Sequence, residues 1–148
     1  MSWFAAHLIL YVKLKEQSQK RFPVWENIVL IKAGSEDEAL AKAECSGRAA
    51  EGDDAGTFRW GGQAAAWVFA GVRKLTVCQD PEKRPGDGTE ISYTEMEVNS
   101  EKAVEQLVEG QTVAVRFREK FRLANEVSPS RAVDSNYRGG EPRAKRLE

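Results

Sequence analysis

Apolar and polar residues alternate from Trp3 to Lys15. Phe4, Ala6, Leu8, Leu10, Val12 and Leu14 share one parity; His7, Tyr11, Lys13 and Lys15, with Ile9, take the other. A period of two predicts a strand with one buried face. After the polar turn Glu16 to Arg21, a second strand is expected from Val24 to Ala33. Its β-branched run Ile28-Val29-Leu30-Ile31 is apolar at both parities, a pattern expected of a strand in the middle of a sheet. Gly34 breaks that run. Ser35 and Glu38 then have the spacing of a capping box, which satisfies two orphan amide donors at a helix start. The helix carries Ala39, Leu40 and Ala43 on its inner stripe, small residues that imply close approach to the sheet, and it is expected to end near Gly47 or Gly52.

The second half repeats the order. A glycine- and aspartate-rich loop from Gly52 to Gly62 holds Phe58 and Trp60, rings expected to fold back as a lid. A third strand follows over Ala65 to Gln79, a turn over Pro81 to Gly88, and a fourth strand over Glu90 to Val98. Ser100 caps a second helix with the stripe Ala103, Val104, Leu107 and Val108. Thr112 to about Phe121 reads as a fifth strand. Trp3 stands 32 residues before Ser35, and Trp67 stands 33 before Ser100, a near-equal spacing that suggests one strand–strand–helix unit written twice. The expected fold is α+β, a mostly antiparallel sheet of about five strands with two helices on one face, in the order ββαββαβ. Both a ferredoxin-like succession and a pseudo-duplicated arrangement fit that order. One domain is expected over residues 1–123. Residues 124–148 read as a flexible or disordered tail, ending in Leu147-Glu148, which resembles a cloning scar.

Composition narrows the function classes. A formal net charge of −1 supplies no general pull toward nucleic acid or an anionic membrane. The opening apolar segment is about ten residues, half of the roughly 20 that a spanning helix needs, and it has no leader-like flanks. Cytoplasmic residence is therefore expected. Cys45 and Cys78 lie in different halves without CxxC spacing, as expected of two reduced thiols. With one histidine and no cysteine cluster, neither a metal nor a cofactor site is expected.

Residues Trp3-Phe4-Ala5-Ala6, Trp25-Glu26-Asn27-Ile28-Val29-Leu30, Ser35 through Ala39, Trp67 through Leu75 and Gly88-Thr89-Glu90 carry a family likeness. In these segments the chain resembles the bacterial domain-of-unknown-function family 4288, over roughly residues 2 to 120. The resemblance implies a small bacterial protein without an assigned activity, and it transfers no catalytic residues.

Chemistry is sparse, and no catalytic residue is assigned. His7 needs a partner to act as a base, and Glu26 or Tyr11 supplies one if the first two strands pair. Glu26, beside Trp25 and Asn27, is a carboxylate in an apolar run and must be paired or solvated. A candidate ligand site therefore comprises His7, Trp25, Glu26, Asn27, Trp67 and Arg73. The bland alternative is a strand-start acid held by the backbone or by Arg21. Arg116, Arg118, Lys120 and Arg122 form a cationic stripe on the fifth strand, suited to phosphates or an acidic partner. A charged, aggregation-resistant edge explains the same pattern, and the overall charge weighs against nucleic acid.

The preferred reading is a binding module that self-associates, as a homodimer, through the open sheet face or an edge. Trp25, Trp60, Trp67 and Tyr11 offer more ring surface than such a sheet readily buries. A further protein partner, such as the target of an immunity-type inhibitor, and a small enzyme with a pocket between the sheet and the Gly52–Gly62 loop, using Glu26 and His7 on a small substrate, are the alternatives.

Overall fold

The structure, a computed structural model, describes residues 1–118. Two long strands, β1 (Ser2–Leu14) and β2 (Val24–Ala33), are followed by helix α1 (Glu36–Ala49). The short β3 (Arg59–Trp60) and the long β4 (Gln63–Val77) come next, then β5 (Met96–Glu97), helix α2 (Glu101–Val108) and β6 (Arg116–Phe117). The main sheet has the order β2-β1-β4-β3, and β5 and β6 form a separate two-stranded ribbon. The strand pairs are antiparallel.

β1 occupies the position that the sequence suggested for β2. It pairs with β2 from Ser2 to Tyr11 and with β4 from Phe4 to Leu14. β2 is an edge strand. A run apolar at both parities cannot distinguish a strand sandwiched between two layers from one that leaves apolar groups in solvent. Here it is the latter: Ile28 and Leu30 are 48% and 43% exposed.

Helix α1 covers the opposite face. Its start is built as the capping spacing requires: Ser35 Oγ accepts from the Glu38 amide at 3.1 Å, and Glu38 Oε2 accepts from the Gly34 amide at 2.7 Å. Ala39 and Ala43 pack with Phe4, Ala6, Leu8, Leu10, Ile31 and Ala33 in one buried cluster, flanked by Val29, Trp67, Phe69, Val72 and Leu75. Gly47 closes the contact. A methyl group placed there would sit 2.3 Å from the Phe69 ring, so the small-residue stripe fixes how closely helix and sheet approach.

The sheet curls through two register shifts, between His7 and Leu8 and between Ile9 and Leu10. Each leaves one extra residue on β4: Arg73 at the first and Ala70 at the second. Gly71, between them, has φ +147°, a backbone angle that favours glycine. At the far end of β4, Gly61 and Gly62 take φ +57° and +79°, the two positive values of a tight hairpin turn joining β3 to β4.

The second half is not a copy of the first. The expected fourth strand shrinks to Met96–Glu97 and the expected fifth, within the described residues, to Arg116–Phe117. α2 starts at Ser100 as expected, with Ser100 Oγ accepting from the Ala103 amide at 3.1 Å. It buries no residue, however, and Val104, Leu107 and Val108 remain exposed. The near-equal Trp-to-Ser spacing thus repeats the helix cap without repeating the hairpin and its packing, and of the two described helices α1 alone lies on the sheet. Neither the ferredoxin-like succession nor the duplicated unit describes this strand order. Lys120, Phe121, Arg122 and the expected tail lie outside the described residues.

Gly47→Ala tests the close approach. It gains about 1 kcal/mol of helix propensity, but forcing a methyl into a packed contact costs about 1–3 kcal/mol. The expected result is a lower melting temperature, at about 2–4 °C per kcal/mol for a chain of this size. Ser46→Ala, on an exposed position of α1, should melt at or above the wild-type temperature.

Candidate functional site

Strand alternation divides the expected ligand residues between the two faces of the sheet. His7 stands opposite Ile28 on β2 and Lys74 on β4; Glu26 stands opposite Ile9, two residues along on the same face. Trp25 and Asn27 stand opposite Leu10 and Leu8, and Trp67 stands opposite Val12, all at the parity of the α1 face. The site expected from sequence is therefore two separate groups.

On the α1 face the rings form a cluster at the end of the sheet. Trp25 meets Trp67 edge-on at 4.7 Å between centroids and Trp60 at 5.6 Å, and Phe58 stacks on Trp67 at 5.7 Å. The Gly52–Gly62 loop does fold back onto the sheet, but it covers this cluster. An enzyme pocket between that loop and the His7–Glu26 pair is not formed. A groove of about 580 Å³ runs between Phe22 and Trp60, and its lining does not include His7, Glu26 or Arg73.

On the other face a polar cluster surrounds His7, which is fully buried. The His7 Nδ1 proton is donated to Glu26 Oε1 at 2.8 Å. A carboxylate can only accept, so it fixes this tautomer and leaves Nε2 as the acceptor for the Ser92 hydroxyl at 2.5 Å. Arg73 Nε donates to the same Glu26 oxygen at 2.6 Å. Arg73 can reach it because it is the extra residue of the first bulge, a place where strands commonly re-aim a side chain. Its guanidinium also lies 5.3 Å from the centre of the Phe117 ring, which draws the β5–β6 ribbon toward the sheet.

The segment that brings Ser92 has no regular structure, and it is anchored on both sides. The Lys74 ammonium donates to the Tyr93 carbonyl, and Cys78 Sγ donates to the Ile91 carbonyl at 3.7 Å. Burial pushes the Glu26 carboxyl up, but the hydrogen bonds from Arg73 and His7, with the charge of Arg73, outweigh it and hold the group below its ordinary value. Burial also pushes the Cys78 thiol up, toward the neutral form. Both cysteines are free thiols, Cys45 exposed and Cys78 buried.

Ser92 was not among the residues singled out from sequence. A buried imidazole needs a partner for each nitrogen, and Glu26 satisfies one. That second requirement is the signal that was present, although nothing in the spacing says which hydroxyl meets it. Of the cationic stripe, Arg116 and Arg118 are described. Arg118 is paired with Glu97 at 2.7 Å and approaches Glu95 at 3.9 Å, and these carboxylates raise its pKa further. Lys120 and Arg122 lie outside the described residues. No group of three or more His, Cys, Asp or Glu side chains among the described residues could hold a metal ion. No helix among them is long and apolar enough to cross a membrane.

Residues 3–93 match the model of a domain of unknown function, DUF4288, and the chain belongs to that family. The match contains His7, Glu26, Arg73 and Ser92 and leaves out β5, α2 and β6. No curated protein and no solved structure matches the chain.

The depressed Glu26 pKa sets the sign of a pH effect. Stability from the ionised carboxylate is present above the unfolded-state value and is lost as pH falls through the lower folded-state value. Glu26→Gln should cost about 1–3 kcal/mol at neutral pH, as expected for losing hydrogen bonds to a charged group. Urea unfolding across the acid range should show the gap between variant and wild type closing as pH falls. A gap that stays constant with pH contradicts this role.

Proposed function

We propose that this chain is a small interaction module that self-associates by pairing its β2 edge with β2 of a second copy. The observation that carries the reading is a ladder left open among the described residues, flanked by half-exposed Ile28 and Leu30 on a strand whose other side is fully paired. An unpaired, flat, apolar edge is a template for another strand unless it is blunted by charge or proline. Between Val24 and Ala33 there is no proline, and the charges are Glu26 and Lys32.

Those two charges select the partner and the register. The Trp3 amide and carbonyl bond to Pro81 and Cys78, on the β4 side of β1. The alternate residues Ser2, Phe4 and Ala6 therefore bond toward β2, to Ala33, Ile31 and Val29. The backbone groups of Glu26, Ile28, Leu30 and Lys32 are then the ones turned outward. A twofold axis through Val29 sets Ile28 against Leu30 of the second copy and Glu26 against its Lys32, twice over. Shifting the centre by one residue in either direction loses both ion pairs. Self-complementarity of this kind is what an isologous dimer requires.

The Trp cluster supports the reading less than expected, since its rings pack largely against one another. Nucleic-acid binding through the cationic stripe gains no support from Arg118, which is already engaged by two carboxylates. The same reading keeps the chain in the bacterial cytoplasm, where an exposed Cys45 would stay reduced.

Sedimentation at micromolar concentration should give twice the 16.5 kDa mass of one chain. Ile28→Lys should yield a folded monomer with unchanged circular dichroism, and Lys32→Glu should weaken the dimer about tenfold, roughly the effect of placing like charges opposite. A wild-type monomer at these concentrations rejects the proposal, as does a dimer indifferent to both substitutions.

A further inference from the structure

We propose that Ser92 is an activated nucleophile, with His7 as its general base and Glu26 as the residue that positions the base, and that this cluster cleaves small acyl esters. Ser92 Oγ lies 2.5 Å from His7 Nε2, and His7 Nδ1 lies 2.8 Å from Glu26 Oε1, a hydroxyl, imidazole and carboxylate linked in the order that acyl-transfer catalysis uses. The three come from β1, β2 and an irregular segment 85 residues from His7 in sequence, so local chain geometry does not produce the alignment.

Each element contributes to the fit. His7 sits on the central strand and is fully buried, which holds the ring in one orientation. Arg73 braces the Glu26 oxygen that orients the imidazole, so that oxygen cannot swing away without breaking two bonds. Ser92 is only half-buried, and its neighbours Tyr93 and Thr94 are exposed, which leaves the hydroxyl side of the cluster approachable. The charged groups around the imidazole are Glu26 from β2 and Arg73 and Lys74 from β4. The Lys74 ammonium rests on the carbonyl and over the ring of Tyr93, the residue after Ser92.

In the first half-reaction the Ser92 Oγ forms a bond to the ester carbonyl carbon while its proton passes to His7 Nε2. The bond from that carbon to the leaving oxygen breaks, and the proton goes from Nε2 to the leaving alkoxide, releasing an alcohol. Water then adds to the acyl carbon, giving a proton to Nε2. The bond to Oγ breaks, a carboxylic acid leaves, and Ser92 takes its proton back. Water is the only co-reactant, and no electrons change hands.

The full-length protein is treated with a fluorophosphonate probe and mapped by mass spectrometry, alongside turnover of p-nitrophenyl acetate. The expected result is one equivalent of label on Ser92, abolished in Ser92→Ala, with a labelling rate that rises with pH, as general-base assistance requires. Glu26→Gln should slow labelling and shift that profile, and His7→Gln should slow it by about a hundredfold or more. Because His7→Gln also disturbs a buried site, the wild-type pH profile and Ser92→Ala carry the test if that variant does not fold. Absence of label at Ser92 in the folded wild-type protein overturns the proposal. So does labelling that is indifferent to pH and to Glu26→Gln. Dimer formation is read separately by sedimentation, and because Glu26 also faces Lys32 of the proposed second copy, Lys32→Glu, which alters that pair alone, should leave the labelling of Ser92 unchanged.

Discussion

Everything in this molecule follows from β1 being hydrogen-bonded along both sides for nearly its whole length. Where a strand paired on both sides is also covered on a face, as at His7, a polar side chain there must be satisfied by other parts of the protein. His7 is the one buried polar residue on the strand. Its two nitrogens recruit Glu26 from one neighbour and Ser92 from a distant segment, and Glu26 in turn recruits Arg73 from the other neighbour. One imidazole thus ties together both flanking strands and the otherwise irregular chain between Cys78 and β5. The hydrophobic face holds α1 by size matching, and the polar face holds the later residues by a short chain of hydrogen bonds.

The same constraint leaves β2 unfinished. Its sequence is as apolar as that of β1, yet among the described residues only one of its ladders is paired. Glu26 lies at the junction of the two arrangements, since it faces inward to His7 and Arg73 and lies in the row of outward-turned backbone groups at the edge. Contacts that brace β2 against its own sheet accompany an unbroken register with β1, a regular edge of the kind to which a second strand can add.

Much of this was legible in the chain, for identifiable reasons. The period-two pattern located β1, the Ser35–Glu38 spacing located α1, and the small residues of that helix announced how closely it lies on the sheet. The juxtaposition of His7, Glu26 and Arg73 could be anticipated because a lone imidazole and a carboxylate in an apolar strand each require a partner. What failed turned on parity and on edges. Trp25 is adjacent to Glu26 in sequence, and for that very reason it points to the other face. Whether Ile28 through Ile31 sat inside the sheet or at its rim could not be read from a run that is apolar at every position. Arg73 reaches its partner through a bulge, and one extra residue leaves no mark on hydropathy. Ser92 belongs to a stretch whose alternation resembled a strand, although its conformation is set by anchors on Tyr93 and Ile91 rather than by a ladder.

The account turns on which amides of β2 are engaged and by what. Amide hydrogen exchange resolved by residue, followed as the protein is diluted, reads this directly. If β2 adds to itself about Val29, the outward amides of Ile28 and Leu30 are protected at high concentration and lose protection on dilution, while Val29 and Ile31, bonded to β1, stay protected throughout. Free exchange at Ile28 and Leu30 at every concentration, or equal loss across all four, contradicts it.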